Sequence, residues 1–209
     1  MKKSVIYFGM AALSLLSVGA PTVTHAATVG TPSDTTGQVT LQAPATGAVT
    51  LDTTKLSDIL NFGSSEIQYA TAIDQIATAD GDQSKEPTTT DLKVTDDRGN
   101  TAGWKLELEQ AQQFTSTKKN TALTGAALKI DTSKVTNVGG TQPTGGQINK
   151  TGCELTPGIA VELLKANAGE GDGISTMTIN KYDLNIPGKA PKESDTYTTT
   201  LTWTFSDTI

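Results

Sequence analysis

The chain has 209 residues, with 16 lysine and arginine residues against 22 aspartate and glutamate residues, and a formal net charge of −6 at pH 7. Apolar residues make up 35% and aromatic residues 5%, so the chain suits one domain of ordinary size with a core of small and β-branched side chains. Arg98 is the single arginine, and an acidic chain without clustered basic residues excludes nucleic acid as the main partner.

The first 26 residues have the features of a secretory signal peptide. Lys2 and Lys3 precede an apolar run from Val5 to Val18, and small residues surround Ala26. The apolar run has about 14 residues, fewer than the roughly 20 that a membrane span needs. We therefore predict cleavage after Ala26 and a secreted protein without a membrane span.

Cleavage there would also remove His25, the only histidine. The 16 basic residues less Lys2 and Lys3 leave 14, which against 22 acidic residues give a charge of −8. A chain without histidine forms no Ser-His-Asp or Cys-His arrangement and no histidine-ligated metal site. We predict a protein that is not an enzyme, with no catalytic residues, no metal site and no cofactor.

Cys153 is the only cysteine, so the fold contains no intramolecular disulfide. A reactive thiolate needs a base or a cationic neighbour, and the nearby Lys150 is offset by Glu154. We interpret Cys153 as packed or incidental, with an intermolecular disulfide as the alternative.

Residues 27–37 are rich in Thr, Gly, Pro and Ser without periodicity, which predicts a flexible leader before a domain at residues 38–209. In that domain, short alternating apolar runs and a chain total of 37 threonines predict an all-β, β-sandwich-like single domain, with an immunoglobulin-like arrangement as one form. The predicted strands are Val39–Gln42, Ala48–Leu51, Glu66–Tyr69, Leu92–Thr95, Trp104–Glu109, Ala126–Ile130, Ile159–Leu163, Ser175–Ile179, Tyr182–Ile186 and Thr196–Phe205. One short helix is predicted at Thr54–Leu60, capped by Thr53 or Thr54.

Three long polar loops connect the predicted strands. They are Asp80–Thr90, Gly139–Gly152 and Ala166–Gly173. The run Asp80–Ser84 resembles the start of a calcium loop, but Lys85 stands where that loop needs glycine and Asp91 where it needs glutamate, so a solvated turn is predicted. The alternating glycines of the third loop lack dinucleotide-binding spacing and predict a tight turn.

Two adjacent acids, Asp96 and Asp97, follow a predicted strand. Neighbouring side chains on an extended chain point to opposite faces, so the pair does not fit the facing carboxylates of a glycosidase. We predict a turn at Asp96–Gly99 in which Arg98 pairs with one of the acids.

Apolar and polar residues alternate in Trp104–Glu109 and in Leu201–Phe205. Each tryptophan therefore shares a sheet face with the residue two positions along. The residues singled out in this way are Trp104, Leu106, Trp203 and Phe205. We predict that they pack in the core, while an exposed platform that stacks on sugar rings is the alternative.

Several segments together resemble the WxL-domain surface proteins of Gram-positive bacteria. They are Leu92–Gly99, Gly103–Leu106, Tyr197–Asp207, Leu60–Gly63 and the Ala166–Gly173 loop. One departure is Phe205, since the family usually has leucine there. The resemblance implies a short, secreted protein, largely one WxL domain, that attaches to the cell wall through peptidoglycan and works with other WxL proteins and a membrane-anchored surface partner. No sorting motif occurs up to Ile209, so we expect non-covalent attachment.

The negative charge of the protein does not favour contact with anionic wall polymers. Binding would instead use hydrogen bonds from Asn, Gln and Thr side chains, aromatic stacking, a lysine patch at Lys118–Lys119, or a bridging divalent cation. The alternative function is a structural subunit that binds a partner surface protein through an exposed strand edge or loop and is held at the wall indirectly.

Overall fold

The computed structural model describes residue 39, residues 47–57 and residues 59–207. The chain divides into two units, residues 1–41 and 42–209. In the first, only Val39 is described, and it is exposed. The predicted signal peptide, the leader and most of the predicted strand Val39–Gln42 lie outside the described residues.

The second unit is built from antiparallel strands, which confirms the predicted all-β, sandwich-like fold. In chain order the strands are β1 (Val49–Leu51), β2 (Ile73–Ile76), β3 (Thr90–Asp96), β4 (Trp104–Gln110), β5 (Thr115–Ser116), β6 (Ala127–Thr132), β7 (Thr136–Val138), β8 (Gly145–Gly146), β9 (Cys153–Leu155), β10 (Ala160–Ala166), β11 (Gly173–Ile186), β12 (Tyr197–Thr198) and β13 (Leu201–Ser206). One sheet has the order β1-β3-β11-β6-β9, and β2 and β7 also pair with β11. The second has the order β13-β4-β10-β8, and β12 pairs with β5.

Strand β11 is the central strand of the larger sheet and pairs with four other strands. Its first half pairs with β3 and β7, and its second half pairs with β2 and β6. The sequence predicted two strands here, Ser175–Ile179 and Tyr182–Ile186, and that break is wrong. The pairing with β6 shifts register between Ile179 and Lys181, so a β-bulge reverses the alternation without ending the strand.

Other predicted elements differ from the structure. The helix at Thr54–Leu60 is a single 3-10 turn at Thr53–Lys55, capped by the Asp52 carboxylate, which accepts the Thr54 N–H at 3.1 Å. Residues 66–69 form no strand, since no described strand pairs with them. The predicted strand Thr196–Phe205 is interrupted, and its two parts, β12 and β13, pair with different partners.

The core lies between the two large sheets. The larger sheet contributes Leu92, Val94, Ile130 and Ile179, and the smaller contributes Trp104, Leu106, Leu108 and Leu164, all with no measurable exposure. Alternate residues of β3 and β4 are buried, because a period of two places every second side chain on the inner face. Burial of aliphatic side chains on both faces therefore holds the sheets together.

A buried ion pair joins the turn after β3 to the end of β13. Arg98 donates to both carboxylate oxygens of Asp96, at 3.0 and 2.8 Å, and also to the carbonyl of Gly103 at 2.7 Å. Its remaining terminal nitrogen donates to the carbonyl of Asp207 at 2.8 Å. The Asp96 side chain is fully buried and the Arg98 side chain is 14% exposed. The predicted pairing of Arg98 with one acid is therefore correct. Through its bond to Asp207, Arg98 also holds the end of the C-terminal strand.

We predict that Arg98→Ala lowers the free energy of unfolding by about 3–5 kcal/mol, because it leaves the Asp96 carboxylate buried without its cation. The control is Lys129→Ala, which removes an exposed pair with Glu154 at 3.9 Å and should cost no more than about 1 kcal/mol. Urea unfolding of both variants measures the difference. Equal losses would contradict a stabilising role for the buried pair.

Candidate functional site

The two tryptophan motifs lie side by side in the smaller sheet. Strands β4 and β13 pair so that Phe205 is opposite Leu106 and Trp203 is opposite Leu108. The rings of Trp104 and Phe205 have centroids 6.0 Å apart at an angle of 45°. Segments about 100 residues apart in sequence thus form one apolar strip.

Trp104 is part of the core. It has no exposed surface, and its indole nitrogen lies 3.4 Å from the Gly171 carbonyl, to which it donates. A β-carbon on Gly171 would lie 2.4 Å from the Ala166 β-carbon and 2.6 Å from the indole nitrogen. The Ala166–Gly173 loop therefore packs against the indole at a distance that only glycine permits.

The same loop is held by the Glu170 carboxylate. This carboxylate accepts the backbone N–H and hydroxyl of Thr144 at 3.0 and 2.7 Å, and the backbone N–H of Asn167 at 3.0 Å. Burial alone would raise the pKa of Glu170, but these hydrogen bonds outweigh it and the pKa lies below its usual value. The Ala166–Gly173 loop, predicted as a tight turn, is thus held in place by these hydrogen bonds where it packs against Trp104.

Trp203 has a different environment. It is half-buried and lines a groove of about 740 Å³. The residues that line the groove include members of β13 and of the segment before it, of β2, and of the segment 59–67. The second motif therefore contributes an aromatic ring to an open surface feature as well as to packing.

The groove has an apolar floor and a hydroxyl-rich rim. Phe62 and Phe114 meet edge to face at 5.9 Å within it. The other apolar lining residues include Leu60, Ile73, Leu128, Leu184, Ile186, Leu201 and Trp203, and the polar ones include Ser57, Asn61, Ser64, Ser65, Thr196, Thr198, Thr199 and Thr200. A concave apolar surface with a few placed polar groups is typical of a ligand site.

One rim hydroxyl is connected to the core. The buried Tyr182 hydroxyl donates to Thr90 at 2.7 Å, and the Thr90 hydroxyl lies 2.6 Å from that of Ser57 at the groove. Burial raises the pKa of Tyr182 to about 12, so the phenol stays protonated and remains a donor at neutral pH. The chain of hydroxyls fixes the position of Ser57.

Among the described residues, the charged side chains that line the groove are all engaged with other groups. The Lys192 ammonium donates to the carbonyls of residues 187, 188 and 190 at 2.7 to 3.2 Å. Glu193 pairs with Lys119 at 2.6 Å. Asp195 accepts from the Ser116 hydroxyl and from the backbone N–H groups of Lys118 and Thr196, which hold the pKa of its carboxyl far below the usual value.

The predicted lysine patch at Lys118–Lys119 is therefore not a free cationic surface. Lys119 pairs with Glu193, and Lys118 lies 3.6 Å from the Asp195 carboxylate. Both lysines balance acids at the groove wall, so the patch offers little attraction for an anionic polymer.

Gln75 on β2 presents a polar atom without a partner. Its side-chain carbonyl oxygen is buried and accepts no hydrogen bond from the described residues, and the residue lines the groove. Buried acceptors are normally paired, so this oxygen is an exception among the described residues, and its burial keeps it out of contact with the open groove.

The calcium-like run forms a turn, as predicted. Asp80 accepts the Asp82 N–H at 3.0 Å, and Asp82 accepts the N–H and hydroxyl of Ser84 at 2.9 and 2.8 Å. In the described part of the chain, no group of three or more His, Cys, Asp or Glu side chains is arranged to hold a metal ion. The carboxylates of Asp80 and Asp82 accept hydrogen bonds from within the turn itself.

Cys153 lies on β9, opposite Ile130, and is half-buried. Burial raises the pKa of its thiol, and the charge of Lys150 offsets this only in part. The thiol is therefore less reactive than a free cysteine at neutral pH.

The four residues singled out in the sequence divide into two environments. Trp104 and Leu106 are fully buried, whereas Trp203 and Phe205 are half-buried. Phe62 lies in the Leu60–Gly63 segment that the resemblance included. The sequence did not point to Gln75, because the groove joins segments that no local pattern connects.

Residues 20–208 match the model of the family described as WxL domain surface cell wall-binding. A comparison with curated proteins gives no significant match. Over the described residues, no helix combines the length and apolar character required to cross a bilayer.

We predict that Gly171→Ala destabilises the protein more than Gly169→Ala. Both glycines have positive φ, 85° and 92°, but a β-carbon at Gly169 meets nothing within 4 Å. The left-handed backbone should cost each variant about 1–2 kcal/mol, and overpacking against Trp104 should cost Gly171→Ala about 1–3 kcal/mol more. Thermal unfolding measures both, and equal stabilities would show that the loop does not pack tightly on the indole.

Proposed function

The chain belongs to the WxL family of surface cell wall-binding domains, and we propose that it attaches directly and non-covalently to peptidoglycan through the groove beside Trp203. The protein is a cell-surface protein that binds the cell wall. The mature form would begin at Ala27 after loss of the signal peptide, with residues 27–37 as a leader and residues 38–209 as the WxL domain.

The observation that carries the proposal is the position of Trp203. A tryptophan of the second family motif lines an open groove instead of lying wholly in the core. An indole combines a large apolar face with a polar N–H, which suits stacking on a sugar ring whose edge carries hydroxyl groups.

The two motifs would then have different tasks. Trp104 and Leu106 are buried and stabilise the sheet, so they act on wall binding by positioning β13. Trp203 would contact the wall polymer itself, and Phe205 would support it from beside Trp104.

The rim supplies the polar part of the proposed contact. Thr196, Thr198 and Thr200 carry hydroxyl groups along the groove, and a hydroxyl both donates and accepts. The Thr199 hydroxyl already donates to the Gln112 carbonyl and could only accept. Hydrogen bonds and aromatic stacking involve no ion pairs, so the affinity of such a contact would depend only weakly on ionic strength. A contact without ion pairs suits an acidic protein that binds an anionic wall.

A second candidate function is supported by the free edge of β13. Among the described strands, β13 pairs only with β4, and Leu201–Ser206 contains no charged residue or proline. An unprotected edge of this kind can accept a strand from another protein. The partner would be another WxL protein or a membrane-anchored surface protein, with wall retention through that partner.

Co-sedimentation with protein-free peptidoglycan sacculi separates the two candidates. We expect the purified mature protein to sediment with the sacculi, and Trp203→Ala to bind about tenfold more weakly, equivalent to about 1.4 kcal/mol. The matched control is Thr204→Ala, an exposed residue one position along β13, which should bind like the wild type.

Circular dichroism of the variants shows whether each remains folded. Wild-type protein left in the supernatant would contradict direct attachment and favour retention through a partner. Equal sedimentation of folded Trp203→Ala and wild type would contradict the role of the groove.

A further inference from the structure

We propose that a flap, residues 64–72, closes over the wall polymer in the groove beside Trp203 and brings Ile67 and Tyr69 onto it. This inference rests on the proposed function and adds two binding residues to the groove. The flap contains the segment 66–69, which was predicted as a strand and is irregular in the structure.

The flap forms no hydrogen bonds with the rest of the described chain. None of the backbone or side-chain groups of residues 64–72 is bonded to another described residue, and all of these residues except Ile67 are exposed. Segments with few buried contacts and solvent-exposed backbone groups open at a low cost in free energy. The flap can therefore change its conformation while the two large sheets remain folded.

Both ends of the flap are fixed. Before it, the Asn61 carbonyl accepts the Thr78 N–H at 2.9 Å, and the Phe62 carbonyl accepts from the Gln83 side chain at 3.2 Å. After it, Ile73 begins β2, which pairs with β11. A segment that is held at both ends and unbonded between them has the construction of a hinged loop that closes over a ligand.

The flap lies at the groove and carries apolar side chains. Ser64, Ser65 and Ile67 line the groove, and so does Lys192. The Lys192 ammonium lies 5.6 Å from the centre of the Tyr69 ring, so Tyr69 borders the groove, and it is 68% exposed. Closure over a ligand would remove the Ile67 and Tyr69 side chains from water, which favours the closed form when the groove is occupied.

A movable wall also suits a polymeric ligand. A cell-wall polymer presents chain interiors far more often than free ends, so it must enter the groove from the side. The open groove admits the chain, and a flap that closes afterwards retains it. The flap would therefore act mainly by slowing dissociation.

Hydrogen exchange measured by mass spectrometry tests the flap against an internal control. The control is the loop at residues 167–171, where the N–H groups of Gly169, Glu170 and Gly171 donate to carbonyls at 2.8 to 2.9 Å. In the free mature protein we expect the flap amides to exchange at least about tenfold faster than these three, because they lack protecting hydrogen bonds. Soluble peptidoglycan fragments should slow exchange in the flap and leave the control loop unchanged.

Ile67→Ala should bind sacculi about tenfold more weakly than the wild type, because apolar surface that closes on the ligand is lost. The matched control is Ile159→Ala, the same change at a residue that is 58% exposed and outside the groove lining, which should bind like the wild type. Tyr69→Ala should also bind more weakly, and its melting temperature should match that of the wild type because the ring is exposed.

Three results would each refute the flap. They are equal exchange in the flap and the control loop of the free protein, fragments that bind without slowing exchange in the flap, and equal binding of Ile67→Ala, Tyr69→Ala and Ile159→Ala. In each case, sedimentation of the wild type with sacculi would still support direct attachment. Failure of the wild type to sediment would refute direct attachment, and the flap with it.

Discussion

The structure depends on the pairing of β4 with β13. This pairing places Phe205 opposite Leu106 and beside Trp104, and the Arg98 side chain ties the end of β13 to the turn before β4. Without it, the smaller sheet would lose its edge strand, and the groove would lose the wall that carries Trp203. The stability of the fold and the shape of the candidate site therefore share one cause.

The two tryptophans differ because of where their strands lie in the sheet. Strand β4 is central, with β10 on one side and β13 on the other, so its inner face is covered in full. Strand β13 is at the edge of the sheet, and its Trp203 lines a groove together with residues of β2 and of the segment 59–67. Trp104 in β4 thus stabilises the core, whereas Trp203 in β13 forms part of a surface groove.

The sequence predicted most of the long strands because alternation reports which face is buried, as in Trp104–Glu109. The strand prediction failed where contacts between distant segments, and not the local sequence, determine the secondary structure. The bulge near Lys181 reversed the alternation inside one strand, and the short strands β5 and β8 carry too few residues to show a period. The segment Glu66–Tyr69 alternates but has no pairing partner among the described strands.

The candidate site was less predictable than the fold. Sequence motifs led to Trp203, and the resemblance included the Leu60–Gly63 segment that contains Phe62. Gln75 also lines the groove, but it comes from a separate segment and carries no local signal. Lys118 and Lys119 formed a charged patch in the sequence, yet both are paired with acids close in space. Charge patterns along a chain do not report ion pairs between distant segments, so only the structure shows that these lysines are paired.

Direct attachment requires that Trp203 faces an open groove and that this groove contacts the wall. Acrylamide quenching of tryptophan fluorescence tests this directly, because Trp203→Phe leaves only the buried Trp104. The wild type should be quenched more strongly than Trp203→Phe, and soluble peptidoglycan fragments should reduce its quenching to the level of the variant. Equal quenching of the two proteins, or fragments that bind without protecting the wild type, would contradict the account.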